Sequence, residues 1–161
     1  MSNPAIVTVL LFEPIVSDQA ALEGIFSSSA WPLCPGSTWK LRVTPTVRAA
    51  LAALRRSAIP LVVCGCDREP GAWRAMLAQF ELLSDPPSLI LTSKHADDRL
   101  WVEALNLGAY DVLAKPFDRA EVIRTISCAW LRRQGTHGQF AAASYTAPAP
   151  ASENYAPPKA C

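Results

Sequence analysis

The chain has 161 residues, half of them hydrophobic, and a formal net charge of +1. That length suffices for one domain with a full core, and the balanced charge gives no electrostatic reason to expect nucleic acid or an acidic surface as partner. No apolar run approaches membrane-spanning length, and the opening MSNPAIVTVLLF lacks the basic region of a secretion signal, so a cytoplasmic protein is expected.

Residues 5–12 are apolar and rich in β-branched side chains, which predicts a buried first strand closed by Glu13-Pro14. Ser17 or Asp18 is placed to cap a helix that carries Leu22, Ile25 and Phe26 on one face. Residues 27–37 are turn-rich, with Pro32, Pro35 and Gly36. A second strand over 39–43 alternates Trp39, Leu41 and Val43 with Lys40 and Arg42. Residues 46–56 read as a helix with Val47, Ala50, Leu51 and Leu54 inward. Pro60 precedes a third strand over 61–66. A third helix over 71–83 offers Trp73, Met76, Leu77 and Phe80, and Asp85-Pro86-Pro87 ends it.

The stretch 89–117, LILTSKHADDRLWVEALNLGAYDVLAKPF, carries the most information. A short apolar run stops at two hydroxyls, Thr92 and Ser93. Asp97 or Asp98 can cap the next helix, where Leu100, Ala104 and Leu107 repeat at helical spacing and Gly108 suits the position after its end. Residues 110–113 form another strand-sized run, followed by Lys115 and Pro116. Strand, helix and strand of these lengths make a βαβ crossover, so the strands are expected to be parallel. A hydroxyl and an ammonium then stand at strand C-termini, where open α/β sheets bind ligands. The last helix starts at Asp118, with Glu121 in capping-box spacing and Val122, Ile126 and Ala129 inward, and runs out near Arg133. Five strand–helix repeats imply a parallel sheet between helices.

From Gln134 the composition becomes Ala/Pro/Ser-rich, and Pro148, Pro150, Pro157 and Pro158 interrupt any helix. Residues 1–133 are therefore expected to form the domain and 134–161 a disordered tail, with a short recognition element around Tyr145 or Tyr155 as the alternative. The five cysteines are scattered, and Cys64-Gly65-Cys66 has no nearby pair to complete a zinc site, so reduced thiols are expected.

The stretch 89–117 resembles the last third of the response-regulator receiver domain. The matching residues are the Ser/Thr after the fourth strand, the pattern Gly108-Ala109-x-Asp111, and Lys115-Pro116-Phe117. The 22-position interval from Ser93 to Lys115 makes Ser93, rather than Thr92, the expected switch hydroxyl. The resemblance implies a flavodoxin-like (βα)5 doubly wound sheet with strand order 2-1-3-4-5. It also implies a two-component signalling role, in which clustered carboxylates hold Mg²⁺ and an aspartate accepts a phosphoryl group.

Most of that acidic cluster is missing. Leu11 and Phe12 stand where the family carries an acidic pair, followed by a matching Glu13 and Pro14. Glu13 is read as a surface or capping residue that could swing inward. Gly65 falls at the phosphoacceptor position. CGCDREPGAW also resembles a subgroup of small receiver-like proteins with C-E-R-D-x-P-D-G-x-W, which again sets Gly65 opposite a Glu. Asp67 is read as a loop or cap residue, with a displaced phosphoacceptor as the alternative. Lys115 is left to pair with Glu13 or Asp67, to project into water, or to bind an anion with Ser93. Val112 replaces the family's switch aromatic, and strand parity would let Tyr110 substitute.

The expectation is a non-enzymatic signalling module that works by protein–protein contact, with a histidine kinase, an output protein or a second copy of itself as partner, and with no cofactor, no direct nucleic acid contact and no membrane. Arg99, Trp101, Tyr110 and Trp130 are the candidate interface, because aromatics and Arg dominate such contacts. The alternative is a true phosphoacceptor using Asp67, with Mg²⁺ on Glu13 and Asp67. A flavodoxin-like small-molecule binder is disfavoured, since no glycine loop follows the first strand.

Overall fold

The structure is a computed structural model that describes residues 5–139. Five parallel strands alternate with five helices: β1 (Ile6–Phe12), α1 (Val16–Ser28), β2 (Thr38–Thr44), α2 (Val47–Arg56), β3 (Leu61–Gly65), α3 (Ala72–Phe80), β4 (Ser88–Ser93), α4 (Asp98–Leu107), β5 (Asp111–Ala114) and α5 (Arg119–Gln139). The sheet order is β2-β1-β3-β4-β5, the order that the receiver resemblance implies. Every strand neighbours its pairing partner in parallel, for example Leu11 beside Val63 and Cys64 beside Leu91.

Strand alternation divides the core into two layers. Leu10, Phe12, Val62, Cys64, Leu89, Leu91 and Val112 face α2, α3 and α4. Val9, Leu11, Leu61, Val63, Ile90 and Leu113 face α1 and α5. Both faces are covered, which is why the central strands read as unbroken apolar runs. At one end of the second layer, the rings of Trp31 and Trp39 stack with centroids 4.3 Å apart, and Phe26 tilts against Trp31.

The helix ends follow their local chemistry. Thr46 caps α2 by accepting from the Ala49 N–H, Asp97 caps α4 by accepting from Leu100, and Asp118 accepts from Glu121 at the start of α5. Gly108 closes α4 at φ 107°, in the left-handed region open to glycine. Two expectations need correction. α1 begins at Val16 and has no side-chain cap, so neither Ser17 nor Asp18 serves as one. α5 continues through Gln139, past the helix end expected near Arg133, because residues 134–139 contain no proline and extend an existing helix one bond per residue. Tyr145, Tyr155 and the proline-rich segment lie outside the described residues.

Candidate functional site

The site lies at the C-terminal ends of β1, β3, β4 and β5, where the topology gathers one or two polar residues from each strand. Its centre is Lys115, just beyond β5. The side chain is 3 % exposed, and its Nζ lies 2.9 Å from Glu13 Oε2, 2.8 Å from Asp18 Oδ2 and 2.9 Å from Asp67 Oδ2. Three carboxylates from three segments therefore converge on one ammonium. A buried charge needs such compensation, because each ion gives up its hydration.

Glu13 is the most constrained of the three. The sequence suggested a surface or capping residue, but the side chain is fully buried. Oε1 accepts from the Ile15 N–H at 3.1 Å, and Oε2 accepts from Thr92 Oγ1 at 3.1 Å as well as from Lys115. Gly65 explains how it fits. A Cβ built at position 65 would lie 2.2 Å from Glu13 Oε2 and 2.6 Å from its Cδ. The Glu13 carboxylate thus fills the space that a side chain at 65 would take. The sequence comparison set Gly65 opposite a Glu in a receiver-like subgroup; here a carboxylate occupies that space from the end of β1.

Asp67 is also more engaged than a solvated loop residue. It follows β3 by two positions and folds back across the strand ends. Oδ1 accepts from Ser93 Oγ at 2.8 Å and from the Lys94 N–H at 3.0 Å, and Oδ2 reaches Lys115. Ser93 Oγ in turn accepts from the His95 N–H. Burial alone would raise the Asp67 pKa, but its hydrogen bonds from Lys115, Ser93 and Lys94 outweigh that and leave it lowered. Burial would likewise lower Lys115, yet hydrogen bonds to Asp18, Asp67 and Glu13 hold its ammonium above the ordinary 10.5. The neighbouring thiols are inert by the same physics. Burial pushes Cys64 up, and Cys66 up to about 12, so both stay protonated.

Asp18 is the member that sequence reasoning missed. It was read as a helix cap, a role open to any Asp near a helix start. Its first-turn position on α1, five residues after Glu13, was the available signal. Two other expectations are only partly realised. Val112 belongs to the layer under α2, α3 and α4, whereas Tyr110 packs against the opposite layer, with Arg132 over its ring. Tyr110 precedes β5, so strand parity does not carry across, and it does not stand in for an aromatic at 112. Trp101 is 47 % exposed on α4 and donates from Nε1 to Asp111 Oδ1 at 3.3 Å, while Trp130 is half-buried against the α1/α5 layer. Arg99 is exposed.

Mg²⁺ requires near-octahedral oxygen ligands at about 2.0–2.1 Å. The carboxylates do not offer that, since Lys115 Nζ occupies the point between them and both oxygens of Glu13 and Asp67 already accept hydrogen bonds. Among the described residues, no group of three or more His, Cys, Asp and Glu side chains is arranged to hold a metal ion.

No protein-family model and no curated protein matches the chain. Solved structures do. The architecture is first of all a flavodoxin-like doubly wound α/β fold. Within that class it is the fold of response-regulator receiver domains. The signal receiver domain of a protein assigned as a LuxO repressor in Vibrio parahaemolyticus superposes with a TM-score of 0.67 at 21 % identity, over 83 % of this chain and 96 % of that one. The signal receiver domain of an HD-domain-containing protein from Pseudomonas fluorescens Pf-5 gives 0.66 at 20 %, over 80 % and 98 %. A two-component response regulator from Clostridium difficile gives 0.63 at 15 %, over 80 % and 98 %.

Proposed function

We propose that this chain is a receiver-type signalling module of two-component systems that acts through protein–protein contacts, without phosphorylation at position 65 and without enzymatic turnover. One observation carries the reading: Gly65 offers no nucleophile, and the space beside it is filled by the Glu13 carboxylate, which is bound to Thr92 and Lys115. Its working surface is α4 and the adjoining end of β5. Arg99, Trp101 and Val102 are exposed there, and Tyr110 lies at the neighbouring edge. The partner is a histidine kinase, an output protein or a second copy, in the cytoplasm. The test is incubation of the full chain with a small phosphodonor such as acetyl phosphate, read by intact-mass spectrometry. No added phosphoryl mass is expected. A stoichiometric increase would overturn the reading.

A second reading has its own support. Asp67 lies within hydrogen-bond distance of both Ser93 and Lys115, the two groups that the receiver resemblance places beside a phosphoryl group. In this reading Asp67 is a displaced acceptor. Its signature would be phosphorylation abolished by Asp67→Asn.

A further inference from the structure

We propose that the outer edge of β2, flanked by α2, is a second docking surface whose occupant is an extended acidic segment of a partner protein, added to the sheet as a strand beside β2. This edge is at the opposite end of the sheet from β5, so it is separate from the α4 surface described above and stands or falls without it.

The net charge of +1 conceals an uneven distribution. Between Gly24 and Cys66 there is no Asp or Glu, while Lys40, Arg42, Arg48, Arg55 and Arg56 all fall there. All five are exposed. Among the described residues none of them pairs with a carboxylate, and Arg55 donates to a neutral acceptor, Gln79 Oε1 of α3. The neighbouring elements β1, β3 and α3 contain no carboxylate either, and Glu69 and Glu81 stand outside α3, before and after it. The rest of the chain carries ten Lys and Arg against all fourteen Asp and Glu. The molecule is therefore polarised, and a field of one sign over one flank steers an oppositely charged partner towards it.

The strand geometry sets these charges beside open backbone. Trp39, Leu41 and Val43 pack in the layer under α1 and α5, so alternation puts Lys40 and Arg42 on the α2 side of the sheet. The Thr38 N–H donates to the Ala5 carbonyl, towards β1. Alternation then turns the N–H and C=O groups of Trp39, Leu41 and Val43 outward, where no strand among the described residues pairs with them.

Length points the same way. β2 has seven residues, whereas β5, at the other edge, has four. A long exposed edge is a template for strand addition, and natural proteins shorten or charge their edges to prevent it. Lys40 and Arg42 do exclude one occupant, a second copy of β2, because pairing would oppose like charges. Guarding the edge needs no more than those two. The further cations on α2 extend the field beyond it, and the same charges admit a strand with acids at alternate positions. Apolar residues between those acids would meet the partly buried Leu41 and Val43. A phosphate backbone could answer the charges, but it has no N–H groups for the outward carbonyls, so the edge fits a peptide better than a nucleic acid.

The experiment titrates the full chain at low salt, by fluorescence anisotropy, with a labelled peptide of alternating Glu and Val, its Lys-Val counterpart and an oligothymidylate. Two further Glu-Val peptides are N-methylated, one at the Glu amides and one at the Val amides. Wild type should bind the Glu-Val peptide saturably and the Lys-Val peptide at least tenfold more weakly. Salt at about 0.5 M should weaken Glu-Val binding at least tenfold. One N-methylated peptide should lose binding and the other keep it, because only every second amide faces the edge. Lys40→Glu combined with Arg42→Glu should reverse the preference between the two peptides. If that protein does not fold, Lys40→Gln with Arg42→Gln should abolish the preference instead. Absence of Glu-Val binding, equal binding of the two N-methylated peptides, or a preference unchanged by these substitutions would each overturn the proposal. Tighter binding of the oligothymidylate than of the Glu-Val peptide would also overturn it, in favour of nucleic acid.

Discussion

At the scale of single residues, Gly65 and Glu13 form one unit. Adding a Cβ at 65 forces the Glu13 carboxylate out of its slot, and with it the bonds to Thr92 and Lys115. Gly65→Ala should therefore cost about 1–3 kcal/mol, the range for overpacking a filled site. In Glu13→Ala the slot is vacant, so adding Gly65→Ala to that background should cost much less. A double-mutant cycle by urea denaturation measures the coupling, and additive costs would contradict the steric account. The charges make a second prediction, about pH. The Asp67 pKa is lowered, so its contribution to stability is present above the ordinary 3.8 and is lost as pH falls through its folded value. Lys115 is raised, so its contribution is complete below 10.5 and is lost as pH rises through its folded value. Unfolding midpoints should thus form a plateau between those limits. In Asp67→Asn the acid-side fall should be shallower.

At the scale of elements, the ends of α4 show how much the chain states locally. Asp97 and Gly108 were legible as cap and terminator because each works through its own backbone geometry. Asp97→Ala should cost about 1 kcal/mol, as loss of an N-cap does. Asp18 was illegible for the opposite reason. Its partner is Lys115, 97 positions away, and no local pattern distinguishes a first-turn cap from a first-turn ion pair. Tyr110 misled because alternation was extended one residue beyond the strand it governs. α4 is also where the proposed contact surface is best defined, since Trp101, Val102 and Leu107 are each about half exposed or more. Trp101→Ala should lower the urea midpoint only modestly, because about half of the side chain is exposed and its one hydrogen bond, to Asp111, lies at the surface. It should weaken self-association, or binding to a candidate kinase or output protein, by at least tenfold, as an aromatic anchor does. Sedimentation velocity and calorimetry would measure this, and unchanged association would move the interface elsewhere.

At the scale of the molecule, a parallel sheet between helices was accessible from the alternating strand–helix repeats, whereas the strand order was accessible only through the receiver resemblance, since periodicity does not encode it. The composition of the pocket was accessible only as a set of departures: Leu11 and Phe12 in place of acids, and Gly65 in place of an acceptor. Their joint outcome depends on how four strand ends meet in space, which spacing does not encode. That meeting also has a mechanical side. Lys115 ties the last strand to the start of α1 and to the loop after β3. Lys115→Met keeps the aliphatic stem but strands three carboxylates, and should cost about 3–5 kcal/mol, as breaking a buried pair does. A loss below 1 kcal/mol in the urea midpoint would show that the cluster adds little to the fold.

The mutual exclusion of Glu13 and any side chain at 65 also constrains descent. A lineage that acquires an inward Glu at 13 while residue 65 still bears a side chain pays the clash first, whereas one that reduces 65 to glycine first opens a space that the Glu can enter. The second route is the passable one. Among homologues of this chain, an inward Glu at 13 should therefore accompany glycine at 65. Reversion to an acidic acceptor should require both positions to change, which makes the arrangement hard to leave once it is fixed.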